Sequence, residues 1–408
     1  MITLDSLGDG LNQTVWVPNK NFTSLKKVAS SSESEVARIY KFVTLLLSMK
    51  PDEHEYKVMG LAPYAKYGYT IEEIYKKVFK KILRVKNCKI VHNKRPKDLY
   101  KYLKSNLSTY RFDYIAAALQ LFVERISCKL LSQVYKKYKI NHFSISGGVS
   151  MNIKMNKVLS ELNFVKQIYV SPSGSDESLS IGACYYLSKG KSKYLKNIYL
   201  GQSIGDIKIG KLKKLFDKKK YKIFNNYNFS KLAKLLKNGE IIAIARDREE
   251  FGARALGNRS IIADPSKLAV IKKINEYIKN RDFWMPFAIT ILYEKHKKFI
   301  NNPKNLKSAF MTMGFDTIKK NLSLIRAGTH SYDETVRPQI LKKNFNNNYY
   351  KLIESFYKIT GIPAVLNTSL NLHGFPISSD LKDVIKTFKN SGLKYIFIND
   401  KYLVKKIK

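Results

Sequence analysis

The sequence has few cysteines, few acidic residues and no long apolar run. Its three cysteines (Cys88, Cys128 and Cys184) lie far apart, which excludes a disulfide scaffold or a four-cysteine zinc site and is typical of the reducing cytosol. No run of about 18 apolar residues occurs, so we expect no membrane span. The first ten residues include acids but no basic stretch, so we expect no signal peptide.

Several common catalytic motifs are also absent. The chain has no G-x-S-x-G nucleophile elbow, so nothing in it supports a hydrolase triad. It has neither a G-x-x-x-x-G-K-[ST] phosphate loop nor a G-x-G-x-x-G dinucleotide fingerprint. Any nucleotide chemistry must therefore use another arrangement of residues.

The charge balance is strongly basic. Lys and Arg total 74 against 32 Asp and Glu, a formal net charge of +42, and a basic surface of this kind can bind phosphate backbones. Only 12 of the basic residues are arginines, and the lysines are spread over the whole chain, as an AT-rich coding bias would give. We therefore do not expect nucleic acid as a partner.

The order of predicted elements indicates an α/β protein. The 408 residues suggest two or three domains, and 44 % hydrophobic residues exclude wholesale disorder. Strands and helices alternate over 142–187, which predicts parallel strands, and a lysine-rich stretch near 189–198 indicates a boundary. We predict domains at 1–195 and 196–408. In the second we predict strands and helices ahead of a terminal hairpin: strands 240–247, 286–294 and 363–370, and helices 267–280, 347–360 and 381–390.

Two loops of the first domain follow predicted strands. Gly147 and Gly148 lie between a strand and a helix, where α/β sheets bind ligands and free backbone N–H groups attract phosphate. A plain tight turn is the alternative. Asp176 follows Ser173-Gly174-Ser175 at an equivalent place, where an aspartate is either a helix cap or a ligand of a hard cation. Taken alone, Asp176 is better interpreted as a cap.

Arginines are concentrated in the second domain. Arg246, Arg248, Arg254, Arg259 and Arg281 lie within one short stretch of a chain that otherwise uses lysine. The guanidinium fork binds phosphate or carboxylate with two hydrogen bonds, and apolar residues interleave with these charges. The segment 245–265 therefore predicts a partly buried anion site.

Further polar residues lie downstream of that segment. Lys279 precedes Arg281, and the segment 330–339 groups His330 with Arg337. Three small hydrogen-bonding residues leave a buried strand at 367–369, which suits either a small polar ligand or ordinary turn chemistry.

Eight stretches, taken in order, resemble the carbamoyltransferase family of NodU, CmcH and TobZ. They are LDSLGDG (4–10), YKVMGLAPYAKYG (56–68), ISGGVSMN (145–152), SPSGSDESLSIGA (171–183), REEFGARALGNRSIIADP (248–265), INEYIKNRDFWMPFA (274–288), HSYDETVRPQ (330–339) and LNTSLNLHGFPI (366–377). The resemblance implies a partial actin-like ATPase (ASKHA) domain, similar to the tRNA-threonylcarbamoyltransferase core, followed by a YrdC-like α/β domain.

The same resemblance implies a cytoplasmic, biosynthetic O-carbamoyltransferase. Such an enzyme makes carbamoyl adenylate from carbamoyl phosphate and ATP, and then transfers the carbamoyl group to a hydroxyl of a sugar-like or secondary-metabolite acceptor. Two alternatives stay open. One is a tRNA threonylcarbamoyl-type modification enzyme, and the other is a non-catalytic or split subunit that completes another chain.

Matching the family's motifs assigns roles to individual residues. The predicted catalytic residues are Arg254, Lys279, Arg337 and Ser369. The predicted cofactor-binding residues, for carbamoyl phosphate and nucleotide, are Gly147, Gly148, Asn152, Arg248, Asn258, Arg259, Ser260, Arg281, His330, Asn367 and Thr368. Asp176 matches a metal-ligand aspartate, and this match replaces the cap interpretation.

The chain also departs from the family pattern. The family carries a His-x-x-x-His metal pair ahead of LDSLGDG, and no two of the six histidines here have that spacing. We therefore expect that the amino-terminal part of the first domain is missing, so that a divalent metal site (Fe or Mg) is incomplete. A separate polypeptide that supplies this part, or a homodimer, is the expected partner.

Overall fold

A computed structural model describes residues 1–21, 23–189, 191, 193 and 195–407, without the side chain of Tyr277. The chain divides into two compact units. Unit 1 contains Met1–Gly190 with Pro303–Leu306 and Thr312–Gly314, and unit 2 contains Lys191–Asn302, Lys307–Met311 and Phe315–Lys408. Each unit has its own sheet and helices, which confirms the α/β class.

The described strands of unit 1 form a five-stranded sheet in the order β3-β2-β1-β6-β7 and a separate β4–β5 hairpin. The strands are β1 (Ile2–Gly8), β2 (Leu11–Pro18), β3 (Leu25–Ser31), β4 (Leu83–Lys86), β5 (Lys89–His92), β6 (His142–Ser146) and β7 (Gln167–Val170). The helices are α1 (Val36–Leu46), α2 (Glu55–Leu61), α3 (Gly68–Lys77), α4 (Leu99–Leu107), α5 (Phe112–Tyr138), α6 (Ile153–Glu161) and α7 (Leu179–Leu187).

Three parallel strands bring loops of unit 1 to one edge of its sheet. Strand β1 pairs in parallel with β6, and β6 pairs in parallel with β7. Asp9 and Gly10 both adopt positive φ between β1 and β2, as the favoured two-residue hairpin turn requires, so Asp9 is a turn residue. The loops after β1, β6 and β7 therefore leave the sheet on the same side.

Helix α7 is apolar but exposed. Its sequence is LSIGACYYL, yet none of its residues is buried, and Tyr186 is 85 % exposed. Leu179 and Leu187 are exposed as well, so the helix adds an apolar surface to unit 1. No helix in the described part of the chain combines the length and apolar character needed to cross a bilayer.

The described strands of unit 2 form an eight-stranded mixed sheet in the order β12-β11-β13-β10-β9-β14-β15-β8. The strands are β8 (Tyr221–Phe224), β9 (Ile242–Ala245), β10 (Arg259–Ala263), β11 (Ala288–Leu292), β12 (Pro338–Leu341), β13 (Ala364–Ser369), β14 (Tyr395–Ile398) and β15 (Tyr402–Lys406). The helices are α8 (Ile209–Leu215), α9 (Phe229–Lys237), α10 (Ala269–Ile274), α11 (Asn347–Thr360) and α12 (Leu381–Lys389).

The directions of the strands in unit 2 bring the ends of four strands to one edge of the sheet. Strand β13 runs antiparallel to both β10 and β11, and β11 is parallel to β12. The last residues of β13 therefore lie beside the first residues of β10 and β11, at the edge of the sheet where β12 also begins. Asn367 is paired with Ala288, and Ser369 is paired with Ser260. Side chains distant in sequence thus meet at this edge of the sheet.

The predicted helix 267–280 is only partly regular. Helix α10 ends at Ile274, and a π-helix, Asn275–Lys279, continues it to a left-handed residue, Asn280. Because a π-helix has a wider turn than an α-helix, Lys279 has a different position from the one that a regular helix would give it. The segment 330–339, in which we predicted no strand, leads into β12, whose four residues are all buried.

Candidate active site

A small pocket that is open to solvent lies at the edge of the unit 2 sheet where these strand ends meet. Its described lining contains no acidic side chain, and three of its side chains are guanidinium groups. Six of the predicted site residues meet here. The lining residues are Ala253, Arg254, Ala255, Arg281, Ala288, Met311, Arg337, Asn367, Thr368 and Ser369.

The three arginines make the pocket strongly cationic. Burial, with the nearby charges of Arg254 and Arg281, lowers the pKa of Arg337 well below its usual range. Like charges in a partly dehydrated site repel one another, and an anion placed among them relieves this repulsion. Arg281 lies 5.2 Å from the centre of the Phe287 ring, which supports its guanidinium plane. The pocket is therefore suited to a small anion of high charge.

Lys279 lies behind the pocket and holds its polar edge. The lysine is 2 % exposed, and its Nζ donates to the Ser369 carbonyl at 2.5 Å, to Ser369 Oγ at 3.2 Å and to the Asn371 carbonyl at 3.1 Å. Burial, followed by the charge of Arg281, lowers the pKa of Lys279 well below its usual value. Ser369 Oγ in turn donates to Asn371 Oδ1 at 2.6 Å. Lys279 is thus placed to position Ser369 and is not part of the pocket wall.

Arg259, which we predicted to bind cofactor, instead binds backbone. Its side chain is fully buried, and all three of its nitrogens donate to carbonyl oxygens. The acceptors are the carbonyls of Gln202, Arg246, Asp247, Asn258 and Ser379. Because a guanidinium has five N–H donors, little capacity is left for a phosphate. Arg259 therefore fastens the loops behind the pocket.

Glu250, which sequence reasoning did not select, organises the arginine-rich loop. Its buried Oε1 accepts the backbone N–H groups of Leu256 and Asn258 at 2.7 Å and of Arg259 at 3.2 Å. A carboxylate that accepts several N–H groups holds a loop in one conformation. This loop places Arg254 and Ala255 at the pocket.

Four other predicted cofactor-binding residues lie outside the pocket lining. Arg248 is exposed and donates to the Leu200 carbonyl at 2.6 Å. Asn258 is buried and donates to the Arg248 carbonyl at 2.7 Å. Ser260 is buried, and its Oγ accepts from the Gly257 N–H at 3.0 Å. His330 is also buried, and its Nδ1 accepts backbone N–H groups of its own loop. The contacts of these residues are internal to the fold.

The glycine loops of unit 1 come together at the edge of the parallel strands. Gly147 has φ +91°, and a side chain there would overlap the backbone of Leu4. The N–H of Gly148 lies 3.4 Å from Asp5 Oδ1. Asn152 caps α6 by accepting the Met155 N–H at 2.9 Å, and its amide also pairs with Gln120. Asn152 therefore has a structural role here, and its predicted contact with nucleotide stays a prediction.

The described residues around Asp176 do not form a metal site. Asp176 is exposed at the first position of a single 3₁₀ turn, Asp176–Ser178, and Ser175 occupies the cap position. Within the described ranges, no three His, Cys, Asp or Glu side chains cluster as metal ligands would. The donor set does not fit a bound cation, so no chemical step is assigned to one.

Comparison with known families identifies the class of protein. Residues 1–185 match the model described as carbamoyltransferase N-terminus, and residues 233–406 match carbamoyltransferase C-terminus. The chain belongs to the carbamoyltransferase family, and its resemblance to that family is confirmed. It is therefore a transferase of carbamoyl groups. Nothing in these matches supports the expectation of a missing amino-terminal part.

The chain is also similar to individual proteins. An uncharacterised protein of Methanocaldococcus jannaschii is 33 % identical over all of this chain and 79 % of its own length. Nodulation protein NolNO of Sinorhizobium fredii is 29 % identical over all of this chain, which spans 60 % of that protein. A crystal structure of full-length HypF in phosphate- and nucleotide-bound form is 17 % identical over 42 % of this chain and 21 % of its own, with a TM-score of 0.30. That structural likeness is too slight to inform function.

Proposed function

We propose that the pocket of unit 2 binds carbamoyl phosphate and that the chain makes carbamoyl adenylate from it and ATP. One observation carries this proposal: Arg254, Arg281 and Arg337 share a pocket with the polar end of β13. A phosphate group bears nearly two negative charges at neutral pH and binds guanidinium forks well. Asn367 and Thr368 add donors and acceptors suited to a carbamoyl amide, which has both.

The proposed activation proceeds in two balanced steps. Water splits carbamoyl phosphate into carbamate and inorganic phosphate. A carbamate oxygen then bonds to the α-phosphorus of ATP while the bond to the β-phosphate oxygen breaks and pyrophosphate leaves. The arginines would neutralise the charge of the phosphate groups and hold the reactants in place. Lys279 contributes by fixing Ser369 at the pocket edge.

The proposed transfer step uses a hydroxyl acceptor of a sugar-like or secondary-metabolite compound. The hydroxyl oxygen attacks the carbamoyl carbon, AMP leaves, and the hydroxyl proton passes to solvent. The glycine loops of unit 1, with Asp5 beside Gly148, are our candidate nucleotide site for this step. A cytosolic location and a homodimer or second polypeptide as partner stay predictions.

Pyrophosphate release tests the activation step. The purified chain is incubated with ATP, with and without carbamoyl phosphate, and the release is measured for wild type and variants. Arg254→Ala and Arg337→Met should each lower kcat/KM for carbamoyl phosphate by about 100-fold, since each removes charge-assisted hydrogen bonds. Arg84→Ala is the matched control, because Arg84 is exposed on the β4–β5 hairpin of unit 1.

The alternatives predict different results in the same assay. Adenylate formation that survives Arg254→Ala and Ser369→Ala would remove the assignment. ATP turnover that requires threonine and tRNA would indicate a tRNA threonylcarbamoyl-type enzyme instead. A folded chain that binds carbamoyl phosphate without turning over ATP would indicate a split subunit.

A further inference from the structure

Asn367 holds a buried hydrogen-bond acceptor at the pocket. The residue is 2 % exposed, and its Nδ2 donates to the Ala255 carbonyl at 3.0 Å and to Thr290 Oγ1 at 2.9 Å. Its Oδ1 is buried and has no hydrogen-bond partner among the described residues. Leaving a buried acceptor unsatisfied costs about 1–3 kcal/mol, so it requires an explanation. Because Asn367 lines the pocket, a ligand that donates a hydrogen bond would supply one.

A chain of hydrogen bonds fixes which end of the Asn367 amide is left without a partner. Thr290 Oγ1 donates to Gln339 Oε1 at 2.8 Å, and Gln339 Nε2 donates to the Leu256 carbonyl at 3.2 Å. A hydroxyl has one proton, so Thr290 can only accept from Asn367. The Ala255 carbonyl can likewise only accept. Turning the amide over would place oxygen against both acceptors, so these hydrogen bonds keep Oδ1 as the atom without a partner.

The geometry of the sheet explains why this chain is rigid. Thr290 on β11 is the direct parallel-strand partner of Gln339 on β12, and both are fully buried. Tyr349 of α11 packs over them and donates its hydroxyl to Thr290 Oγ1 at 3.1 Å. Each member of the network therefore has its proton direction set by a neighbour.

We propose that Thr290 and Gln339 are positioning residues, and this inference rests on the proposed function. They fix the Asn367 oxygen as the hydrogen-bond acceptor for the NH₂ group of carbamoyl phosphate. The pocket then selects a carbamoyl group over an acetyl group of the same shape. A methyl group in place of NH₂ leaves Oδ1 buried and unpaired. Sites built to hydrogen-bond a substrate group reject analogues that lack it by about 10⁴-fold or more, so a ratio above about 100 is expected here.

A purely structural role for this hydrogen-bond network predicts a different effect of removing Thr290 or Gln339. Thr290 and Gln339 would then stabilise the sheet, and their removal would lower stability without changing the choice of donor. Stability alone therefore does not distinguish the two roles. The ratio of affinities for carbamoyl phosphate and acetyl phosphate does, because the two compounds share the phosphate group that the arginines bind.

The test measures the Kd of both compounds, and of inorganic phosphate, by calorimetry. Thr290→Val removes the hydroxyl with little change of volume, and Thr290→Ser restores it. We expect Thr290→Val to reduce the carbamoyl-over-acetyl ratio at least tenfold while phosphate affinity is kept, and Thr290→Ser to keep the wild-type ratio. Gln339→Met, which frees the Thr290 proton, should reduce the ratio as well and serves if Thr290→Val does not fold.

The outcomes separate this inference from the function on which it rests. If folded Thr290→Val and Gln339→Met keep the wild-type ratio, or if wild type binds both compounds equally, the positioning role is wrong. If wild type binds inorganic phosphate but neither acyl phosphate, the proposed function is wrong, and this inference falls with it.

Discussion

Two arginines five residues apart in one motif have opposite surroundings. Arg254 lines a pocket whose described walls carry no acidic group, whereas Arg259 gives its donors to backbone carbonyls. Their sequence context is the same, since both lie in GARALGNRS. Arg254 lies in the loop before β10, whereas Arg259 is the first residue of that strand. Sequence reasoning could therefore identify the segment as an anion site but could not divide its arginines between binding and support.

Arg259→Lys should destabilise unit 2 strongly. Lysine has three donors on one atom and cannot reach acceptors spread around a planar fork, so several buried carbonyls would lose their partner. We expect the free energy of unfolding to fall by about 2–4 kcal/mol, measured by urea denaturation. An unchanged unfolding midpoint, together with weaker binding of carbamoyl phosphate, would show that Arg259 binds ligand after all.

Lys279 should make stability rise with pH. Burial and then Arg281 lower its pKa in the folded protein, whereas the unfolded chain has the usual value of about 10.4. Between these two values the unfolded state binds more protons, so raising the pH favours the folded state. Urea denaturation from pH 7 to pH 10 should show a smaller gain of stability with pH in Lys279→Met than in wild type. Equal gains in the two proteins would contradict the lowered pKa.

At the scale of elements, hydrophobic patterns predicted helices and strands whose apolar residues recur at a regular local spacing. Helix α11 coincides with the predicted 347–360, and β13 lies inside 363–370. The β4–β5 hairpin was not predicted, because lysines in 70–112 mask its alternation of buried and exposed residues. The Thr290–Gln339 pair also carries no local signal, since it follows from which strands become neighbours.

The turn before β10 depends on one glycine. Gly257 has φ +111°, and a methyl group there would overlap the ring of Tyr349, which itself bonds to Thr290. Gly257→Ala should lower the free energy of unfolding clearly more than Gly374→Ala does. Gly374 is the control, because it has φ +76° and open space around it. In the control, only the positive φ of the backbone is unfavourable for alanine, at about 1 kcal/mol. We therefore expect the two variants to differ by about 2 kcal/mol in their free energy of unfolding, measured by urea denaturation. Equal costs would show that the ring moves aside freely.

At the scale of the molecule, two kinds of positive charge coexist. The net charge of +42 comes mainly from lysines distributed along the chain, whereas three of only 12 arginines meet in one pocket. Dispersed exposed charge attracts polyanions without specificity and is screened by salt. A partly buried cluster is screened much less. Salt should therefore separate surface binding of nucleic acid from binding in the pocket.

Binding of RNA should be lost at salt concentrations at which carbamoyl phosphate still binds in the pocket. With about six phosphate contacts, RNA affinity should fall about a thousandfold between about 50 and about 200 mM salt, because binding releases condensed counterions. The KM for carbamoyl phosphate should change by less than about threefold over the same range, since its phosphate meets partly buried arginines. Fluorescence anisotropy with labelled tRNA and with a random-sequence RNA of equal length measures the first quantity, and pyrophosphate release measures the second. Binding of tRNA that persists at the higher salt and exceeds that of the random RNA would contradict a dispersed surface charge and would favour a tRNA substrate.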